Sequence, residues 1–126
     1  MEQNIKRIDA CFSVTGQIGQ SDLQTLAGQG FRSVICNRPD HEGGPEQPEH
    51  TALRDAAQAL GLSFAYVPVA TTGATAQDVE QMRALLAQLP TPVLAFCRTG
   101  NRSSKLYELA TRGARSAASY DVVVIG

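Results

Sequence analysis

Residues 92–104 read PVLAFCRTGNRSS and decide the fold, because an almost wholly apolar run passes through a polar, glycine-containing turn. Such a run is typical of a central parallel strand that is covered on both faces. We predict this strand at 92–97, followed by a helix at 100–112 that Gly113 ends. Cys97 therefore lies at the carboxyl end of a strand, which is where open α/β sheets bind their ligands.

Outward from this stretch, strands and helices alternate along the chain. Further strands are predicted at 11–17, 31–36 and 62–69, and further helices at 21–28, 49–60 and 75–89. Two helices begin with capping sequences, S-x-x-Q from Ser21 and T-x-x-D from Thr75. The alternation predicts an α/β fold with a mostly parallel central sheet of about four to five strands, flanked by helices.

The composition is that of a soluble globular domain and excludes several classes of protein. The chain has 126 residues, 43% of them hydrophobic, which is enough for one core. A net charge of -1 argues against a nucleic-acid binder driven by charge. No run is long enough for a transmembrane segment, and the first ten residues do not form a secretory signal. We expect a cytoplasmic protein.

The three cysteines do not indicate a metal site. Cys11, Cys36 and Cys97 lack the spacing of metal ligands. Their odd number, without a signal peptide, indicates reduced thiols in the cytoplasm. We therefore predict no metal and ask which thiol is reactive.

The loop after Cys97 is suited to hold an anion and to activate the thiol. Backbone amides from Arg98 to Arg102 can form an anion nest beside a helix N-terminus. The guanidinium of Arg102 would close the ring over the anion. The same field lowers a thiol pKa, so Cys97 is the predicted nucleophile, rather than a small core residue. The predicted anion-binding residues are Arg98, Thr99, Gly100, Asn101, Arg102 and Ser103, of which the last also tunes the thiolate.

The segment from Cys97 to Ser103 resembles the active loop of two groups of cysteine enzymes. Cysteine-dependent phosphatases place five residues between the cysteine and the arginine, whereas rhodanese-type sulfurtransferases commonly place four, as this chain does. The rest of the chain resembles the dual-specificity phosphatase scaffold, most closely the phosphatase-like domain of the beta-lactamase-hydrolase-like family. The matching segments are SVTGQ at 13–17, SDL at 21–23, GFRSVICNR at 30–38 and YVPV at 66–69.

Two departures from the phosphatase pattern favour sulfur transfer. First, the loop between Cys97 and Arg102 is one residue shorter than in phosphatases, which narrows the anion nest. Second, the loop at 70–74 contains no carboxylate that could protonate a leaving oxygen. Asp78, the nearest carboxylate downstream, is either that acid or a helix-end residue. The sequence therefore favours a rhodanese-like sulfurtransferase acting through a Cys97 persulfide. The alternatives are a phosphatase acting through a phosphocysteine, and a non-catalytic anion or persulfide sensor.

Other residues near the same predicted edge leave two interpretations open. Arg38, with Asp40, His41 and Glu42, either lines the pocket or forms a solvated loop. Cys36 is either a resolving thiol for Cys97 or an inert core cysteine.

The end of the chain predicts a second domain. Residues 1–113 form the cysteine-loop domain, 114–119 read as a linker, and 120–126 (YDVVVIG) resemble the first strand of a dinucleotide-binding domain. That resemblance implies a covalently fused oxidoreductase with FAD or NAD(P); the alternative is a fifth strand of the present sheet. For the cysteine-loop domain we predict no cofactor and a small anionic or persulfide substrate.

Overall fold

The computed structural model describes residues 5–118, and the side chains of residues 5–112. Its strands are β1 (Lys6–Asp9), β2 (Phe12–Thr15), β3 (Ser33–Cys36), β4 (Ser63–Tyr66) and β5 (Val93–Phe96). Its helices are α1 (Gln20–Gly28), α2 (His50–Ala59), α3 (Ala76–Gln88) and α4 (Asn101–Ala118). Over the residues that the structure describes, no helix combines the length and the apolar character needed to cross a membrane.

The five strands form one sheet in the order β1-β2-β5-β3-β4, and all neighbours except β1 and β2 are parallel. This confirms the predicted α/β fold with a mostly parallel sheet. The sequence did not predict β1, because three of its four residues are charged and only Ile8 is apolar. Charged residues suit an exposed edge strand, and the conformation of β1 comes from its antiparallel pairing with β2.

The central strand β5 contributes side chains to a separate core on each face of the sheet. Val93 and Ala95 pack in one core with Met82 of α3 and Leu106 of α4. Leu94 and Phe96 pack in the other core, with residues of α1 and α2. All four β5 side chains are at most 1% exposed. Burial on both faces explains why this strand is wholly apolar, and it fixes the position of the residue that follows it.

The helix starts agree only in part with the predicted capping sequences. Thr75 caps α3 as predicted: its Oγ1 accepts from the Asp78 amide at 3.1 Å, and the Asp78 carboxylate accepts from the Thr75 amide at 2.9 Å. The predicted cap at Ser21 is wrong, because the N-cap of α1 is Gly19. Asp22 accepts from the Gly19 amide at 2.8 Å. A carboxylate at this position satisfies a free amide and favours the helix dipole, so α1 starts earlier.

Helix α4 continues through Gly113 to Ala118, whereas the sequence predicted its end at Gly113. One glycine inside a helix costs only about 1 kcal/mol relative to alanine, and the three alanines and one arginine at 114–118 are good helix formers. The domain boundary at 113 stays a prediction. The segment at 120–126 lies outside the described residues.

Candidate active site

Three parallel strands end together at one edge of the sheet. Thr15 of β2 and Cys36 of β3 both pair with Phe96, the last residue of β5. The next residues along these strands therefore leave the sheet side by side. This register places Cys97 between the segments that begin with Gly16 and Asn37.

Two glycines allow the loop after Cys97 to pack tightly against the end of β2. A Cβ atom on Gly16 would lie 2.9 Å from the carbonyl oxygen of Arg98, which is closer than real Cβ contacts come. Gly100 has a φ of +96°, and a Cβ atom there would lie 3.4 Å from the backbone of Thr15. The left-handed conformation of Gly100 turns the loop back over Cys97. The loop geometry therefore depends on glycine at both positions.

The Cys97 thiol is buried and surrounded by hydrogen-bond donors. The Gly100 amide donates to Cys97 Sγ at 3.1 Å. Burial raises the pKa of the Cys97 thiol, but hydrogen bonds from Ser103, Thr99 and Gly100 outweigh burial and hold the pKa below its usual range. A lowered pKa increases the fraction of thiolate at neutral pH, and the thiolate is the nucleophilic form.

The predicted anion-binding residues do not all contribute in the same way. Ser103 is fully buried, and its hydroxyl stabilises the thiolate while forming no hydrogen bond of regular geometry in the described residues. The Asn101 amide instead donates to Thr99 Oγ1 at 3.3 Å, which removes it from the set of amides predicted to face the anion. The Arg98 carbonyl accepts from the Gln17 amide at 3.4 Å.

The guanidinium of Arg102 is held in one orientation. Nη1 donates to Glu42 Oε2 at 2.8 Å and to the Val69 carbonyl at 2.7 Å, and Nη2 donates to Glu42 Oε1 at 2.7 Å. The hydrogen bond to Glu42 raises the pKa of Arg102, and its side chain also contacts the Cys97 thiol. The N–H of Nε and the second N–H of Nη2 remain, and they lie on one edge of the guanidinium. That edge is the fork that binds an oxyanion in a bidentate manner.

Glu42 links two arginines at the entrance to the site. Its Oε1 atom also accepts from Arg38 Nε at 2.9 Å, while Arg38 Nη1 donates to Gln17 at 3.1 Å. The hydrogen bonds from Arg102 and Arg38 outweigh burial and hold the pKa of Glu42 below its usual range. For Arg38 and Glu42 the geometry therefore favours the pocket-lining interpretation over the solvated loop. A cavity of about 430 Å³ adjoins them, lined by Arg38, Glu42, Gly43, Thr71 and Arg98.

A second cluster anchors the loop that carries Glu42. Asp40 accepts from the His50 amide at 2.8 Å and contacts His50 Nδ1 at 2.6 Å. The His50 ring stacks on Tyr66, whose hydroxyl accepts from the Asp40 amide at 3.0 Å. Burial raises the pKa of Asp40, but the hydrogen bonds from His50 outweigh burial and lower it. The sequence analysis gave His50 no role, and only the fold brings it to Asp40 and Tyr66.

The structure places Cys36 in the core formed with α1 and α2, where its thiol donates to the Arg38 carbonyl at 3.4 Å. Burial raises the pKa of Cys36 to about 12. A thiol with this pKa is inert near neutral pH, so the geometry favours the core-cysteine interpretation over the resolving thiol.

The carboxylate of Asp78 is used in the cap of α3, and it forms no hydrogen bond or ion pair with Cys97 or Arg102. Among the described residues, no three histidine, cysteine or acidic side chains come together as a metal site would require.

Glu42 was named from the sequence only as part of a loop that either lines the pocket or is solvated, without a connection to Arg102. It is 60 residues from Arg102 in the chain, and no periodic pattern connects the two. The one local signal was the spacing of Arg38 and Glu42, which form an ion pair at positions i and i+4. Cys97 and Arg102 together place a thiol of lowered pKa beside a guanidinium fork, an arrangement suited to nucleophilic attack on a bound oxyanion.

The chain is similar in sequence to a known protein family and to curated proteins. A family model described as "Beta-lactamase hydrolase-like protein, phosphatase-like domain" matches residues 4–114. The beta-lactamase hydrolase-like protein of Agrobacterium fabrum is 36% identical over 103 residues, which cover 82% of this chain and 24% of that protein. Its namesake in Xylella fastidiosa is 34% identical with the same coverage. The chain therefore spans about a quarter of the length of the curated relatives it matches.

A solved structure of a candidate phosphatase from Neisseria meningitidis superposes on the chain with a TM-score of 0.76. The two sequences are 33% identical, and the match covers 96% of this chain and 82% of the other.

Proposed function

The chain belongs to the family of phosphatase-like domains of beta-lactamase hydrolase-like proteins, and on that premise we propose that it hydrolyses phosphomonoesters through a phosphocysteine at Cys97. The observation that carries the proposal is the position of the Cys97 thiol, whose pKa is lowered, beside the guanidinium edge of Arg102 that Glu42 and Val69 do not occupy. A thiolate and a bidentate oxyanion site are the two parts that this chemistry needs.

In the proposed reaction, the phosphate enters between the thiolate and the guanidinium of Arg102. The Cys97 sulfur attacks phosphorus, a P–S bond forms, and the bond to the leaving oxygen breaks. Water then attacks the phosphocysteine, and inorganic phosphate and the thiolate are released. Arg102 and the loop amides stabilise the charge on the phosphoryl oxygens. Cys97 is 0% exposed, so the entering phosphate has to replace the contact between Arg102 and the thiol.

In the described part of the chain, none of the three candidate carboxylates, Asp40, Glu42 and Asp78, is free to act as a general acid. Glu42 accepts hydrogen bonds from two arginines that lower its pKa, which keeps it ionised, and Asp40 is bonded to His50. Asp78 is used in a helix cap. Without a protonated carboxyl group, expulsion of an alkoxide is slow, whereas a phenolate leaves without help.

The test of the proposal compares aryl and alkyl phosphates under the same conditions. We expect hydrolysis of 4-nitrophenyl phosphate, kcat/KM at least about a hundred-fold lower for an alkyl phosphate, and loss of activity in Cys97→Ser. Trapping of a phosphocysteine by acid quench and mass spectrometry identifies the intermediate. Absence of aryl phosphate hydrolysis would refute the proposal.

Sulfur transfer stays a second candidate, although the sequence analysis favoured it. The matches to phosphatase-like proteins support phosphoryl transfer, and only the four-residue spacing between Cys97 and Arg102 favours a sulfurtransferase. In this reaction the Cys97 thiolate attacks the outer sulfur of thiosulfate and sulfite leaves; cyanide then takes that sulfur as thiocyanate. Thiocyanate formation without phosphate release would favour it. Inactivity in both assays with retained anion binding would favour the sensor.

We also keep two sequence-based hypotheses about the whole protein, a cytoplasmic location and fusion to an oxidoreductase that binds FAD or NAD(P). The second rests on residues 120–126, which lie outside the described part of the chain. Flavin absorbance of the natural full-length protein is the measurement that tests it. A full-length protein without flavin or nicotinamide binding would remove this hypothesis and leave the Cys97 chemistry unaffected.

A further inference from the structure

The cavity next to the Arg102–Glu42 pair contains a cation without a partner. Arg98 lines this cavity, its side chain is exposed, and among the described residues its guanidinium makes no hydrogen bond or ion pair. By contrast, Arg54, Arg83 and Arg112 each pair with a nearby carboxylate on other parts of the surface.

The other charged residues of the cavity are already paired. Arg38 and Glu42 bond to each other, and Glu42 also holds Arg102. The Cβ position of Gly43 lies 2.6 Å from Arg38 Nη2, so a side chain there would displace the guanidinium. Arg38 is thus fixed against the loop, with a side chain 12% exposed. This leaves Arg98, with the Thr71 hydroxyl, as the polar groups of the cavity that are open to a ligand.

The cavity is directly connected to the proposed reaction centre. Arg98 is the residue after Cys97, and Glu42 is shared between the cavity lining and Arg102. A volume of about 430 Å³ falls within the range of small-molecule sites. A substrate held by its phosphate at Arg102 would therefore extend into this cavity.

We propose that the cavity binds a second anionic group, a phosphate or a carboxylate, on the substrate whose phosphate is attacked by Cys97. Arg98 donates to this group, with Thr71 beside it, and the substrate class becomes small phosphomonoesters with two negatively charged groups. This inference rests on the proposed phosphatase function for the reacting phosphate. The binding of the second anion itself does not require turnover.

The kinetic test uses two aryl phosphates that differ in one charge. 3-Carboxyphenyl phosphate carries the second anion, and 3-carbamoylphenyl phosphate is its neutral counterpart of similar shape. We expect kcat/KM to be about five-fold higher for the carboxylate, the size of one exposed charge pair. Arg98→Gln should bring the ratio close to one, Arg98→Glu should invert it, and added salt should reduce it. Arg54→Gln, which changes an arginine elsewhere on the surface, should keep the wild-type ratio.

A binding test separates failure of this inference from failure of the proposed function. Calorimetry on Cys97→Ser compares inorganic phosphate with pyrophosphate, which carries a second anionic group. Tighter binding of pyrophosphate that is lost in Arg98→Gln supports the subsite, even if no phosphomonoester is hydrolysed. Any one of three results overturns the inference. These are a kcat/KM ratio near one in the wild type, an unchanged ratio in Arg98→Gln, and the same affinity for phosphate and pyrophosphate.

Discussion

Replacing Gly16 by alanine tests whether packing of the Cys97 loop against β2 controls reactivity. The added Cβ would lie 2.9 Å from the Arg98 carbonyl oxygen, so the two atoms must separate by roughly 0.5 Å to reach an ordinary contact. The Arg98 carbonyl belongs to the residue next to the nucleophile, and it already accepts a hydrogen bond from the Gln17 amide. Separation therefore displaces the loop or breaks this bond.

The expected cost of Gly16→Ala follows from these distances. Overpacking of this kind destabilises by about 1–3 kcal/mol, partly offset by a gain of about 0.4–1 kcal/mol from a stiffer unfolded chain. We expect a net loss of about 1 kcal/mol, or about 4 °C in Tm. A shift of a few tenths of an ångström at the nucleophile should lower kcat/KM about ten-fold, since a misplacement of about 1 Å can cost about a hundred-fold.

The assays are thermal unfolding, hydrolysis of 4-nitrophenyl phosphate, and alkylation of Cys97 as a readout independent of turnover. Gly28→Ala is the matched control, because no atom lies within 4 Å of a Cβ added there and the residue ends α1. It should keep or slightly raise Tm and keep full activity. If Gly16→Ala leaves Tm, kcat/KM and alkylation unchanged, the loop does not depend on this contact. An equal loss in Gly28→Ala would show a general effect of alanine.

Three further predictions concern the charged groups of the site. The rate of iodoacetamide alkylation of Cys97 should rise with pH and reach its midpoint below about pH 8.5, the approximate pKa of a free thiol. Cys36, with a pKa of about 12, should stay unlabelled. A midpoint at or above the free value contradicts the activated thiolate. Arg102→Lys should lower kcat/KM by about a hundred-fold or more with little change in Tm, because lysine keeps the charge but loses the planar fork. Arg98→Ala should lower kcat/KM much less for a phosphomonoester without a second anion. Equal losses of kcat/KM would mean that the wrong arginine is assigned. Glu42→Gln should destabilise at neutral pH by about 1–2 kcal/mol, since hydrogen bonds from Arg102 and Arg38 lower the Glu42 pKa. This stabilisation is fully present above the unfolded pKa of about 4.3, and it is lost as the pH falls through the lower pKa of the folded state. The free energies of unfolding of wild type and Glu42→Gln, measured in urea, should therefore converge below about pH 4. A difference that grows in acid would refute the assignment.

The α/β class and the position of the reactive loop were predictable because both depend on local patterns. The apolar run before Cys97 needs burial on two faces, which only a central strand between helices provides. The polar turn after it, with Gly100 at a positive φ, suits a strand-to-helix connection. Cys97, Arg102 and Ser103 lie within seven consecutive residues, so their proximity follows from the chain itself.

Local patterns were less reliable at the ends of elements. The S-x-x-Q sequence at Ser21 suggested a cap, but the carboxylate of Asp22 reaches back to Gly19 and starts α1 earlier. Strand β1 has a single apolar residue, Ile8, and its extended conformation depends on pairing with the edge of β2. In the first case two neighbouring capping groups compete, and in the second a strand pairs with its neighbour; the pattern of the element's own residues records neither outcome.

Tertiary structure alone decided which distant groups complete the site. The sequence by itself predicted a nucleophile, an arginine and a nest of amides, since all of them lie in one loop. It did not determine that Glu42 and the Val69 carbonyl bind three N–H groups of Arg102 and leave one edge of the guanidinium for an anion. It also gave no role to His50, which the fold brings to Asp40, and it left two interpretations of Cys36, of which burial in the core favours the inert cysteine. The physical reason is that hydrogen bonds between side chains far apart in sequence depend on strand order and loop path, which no local periodicity records.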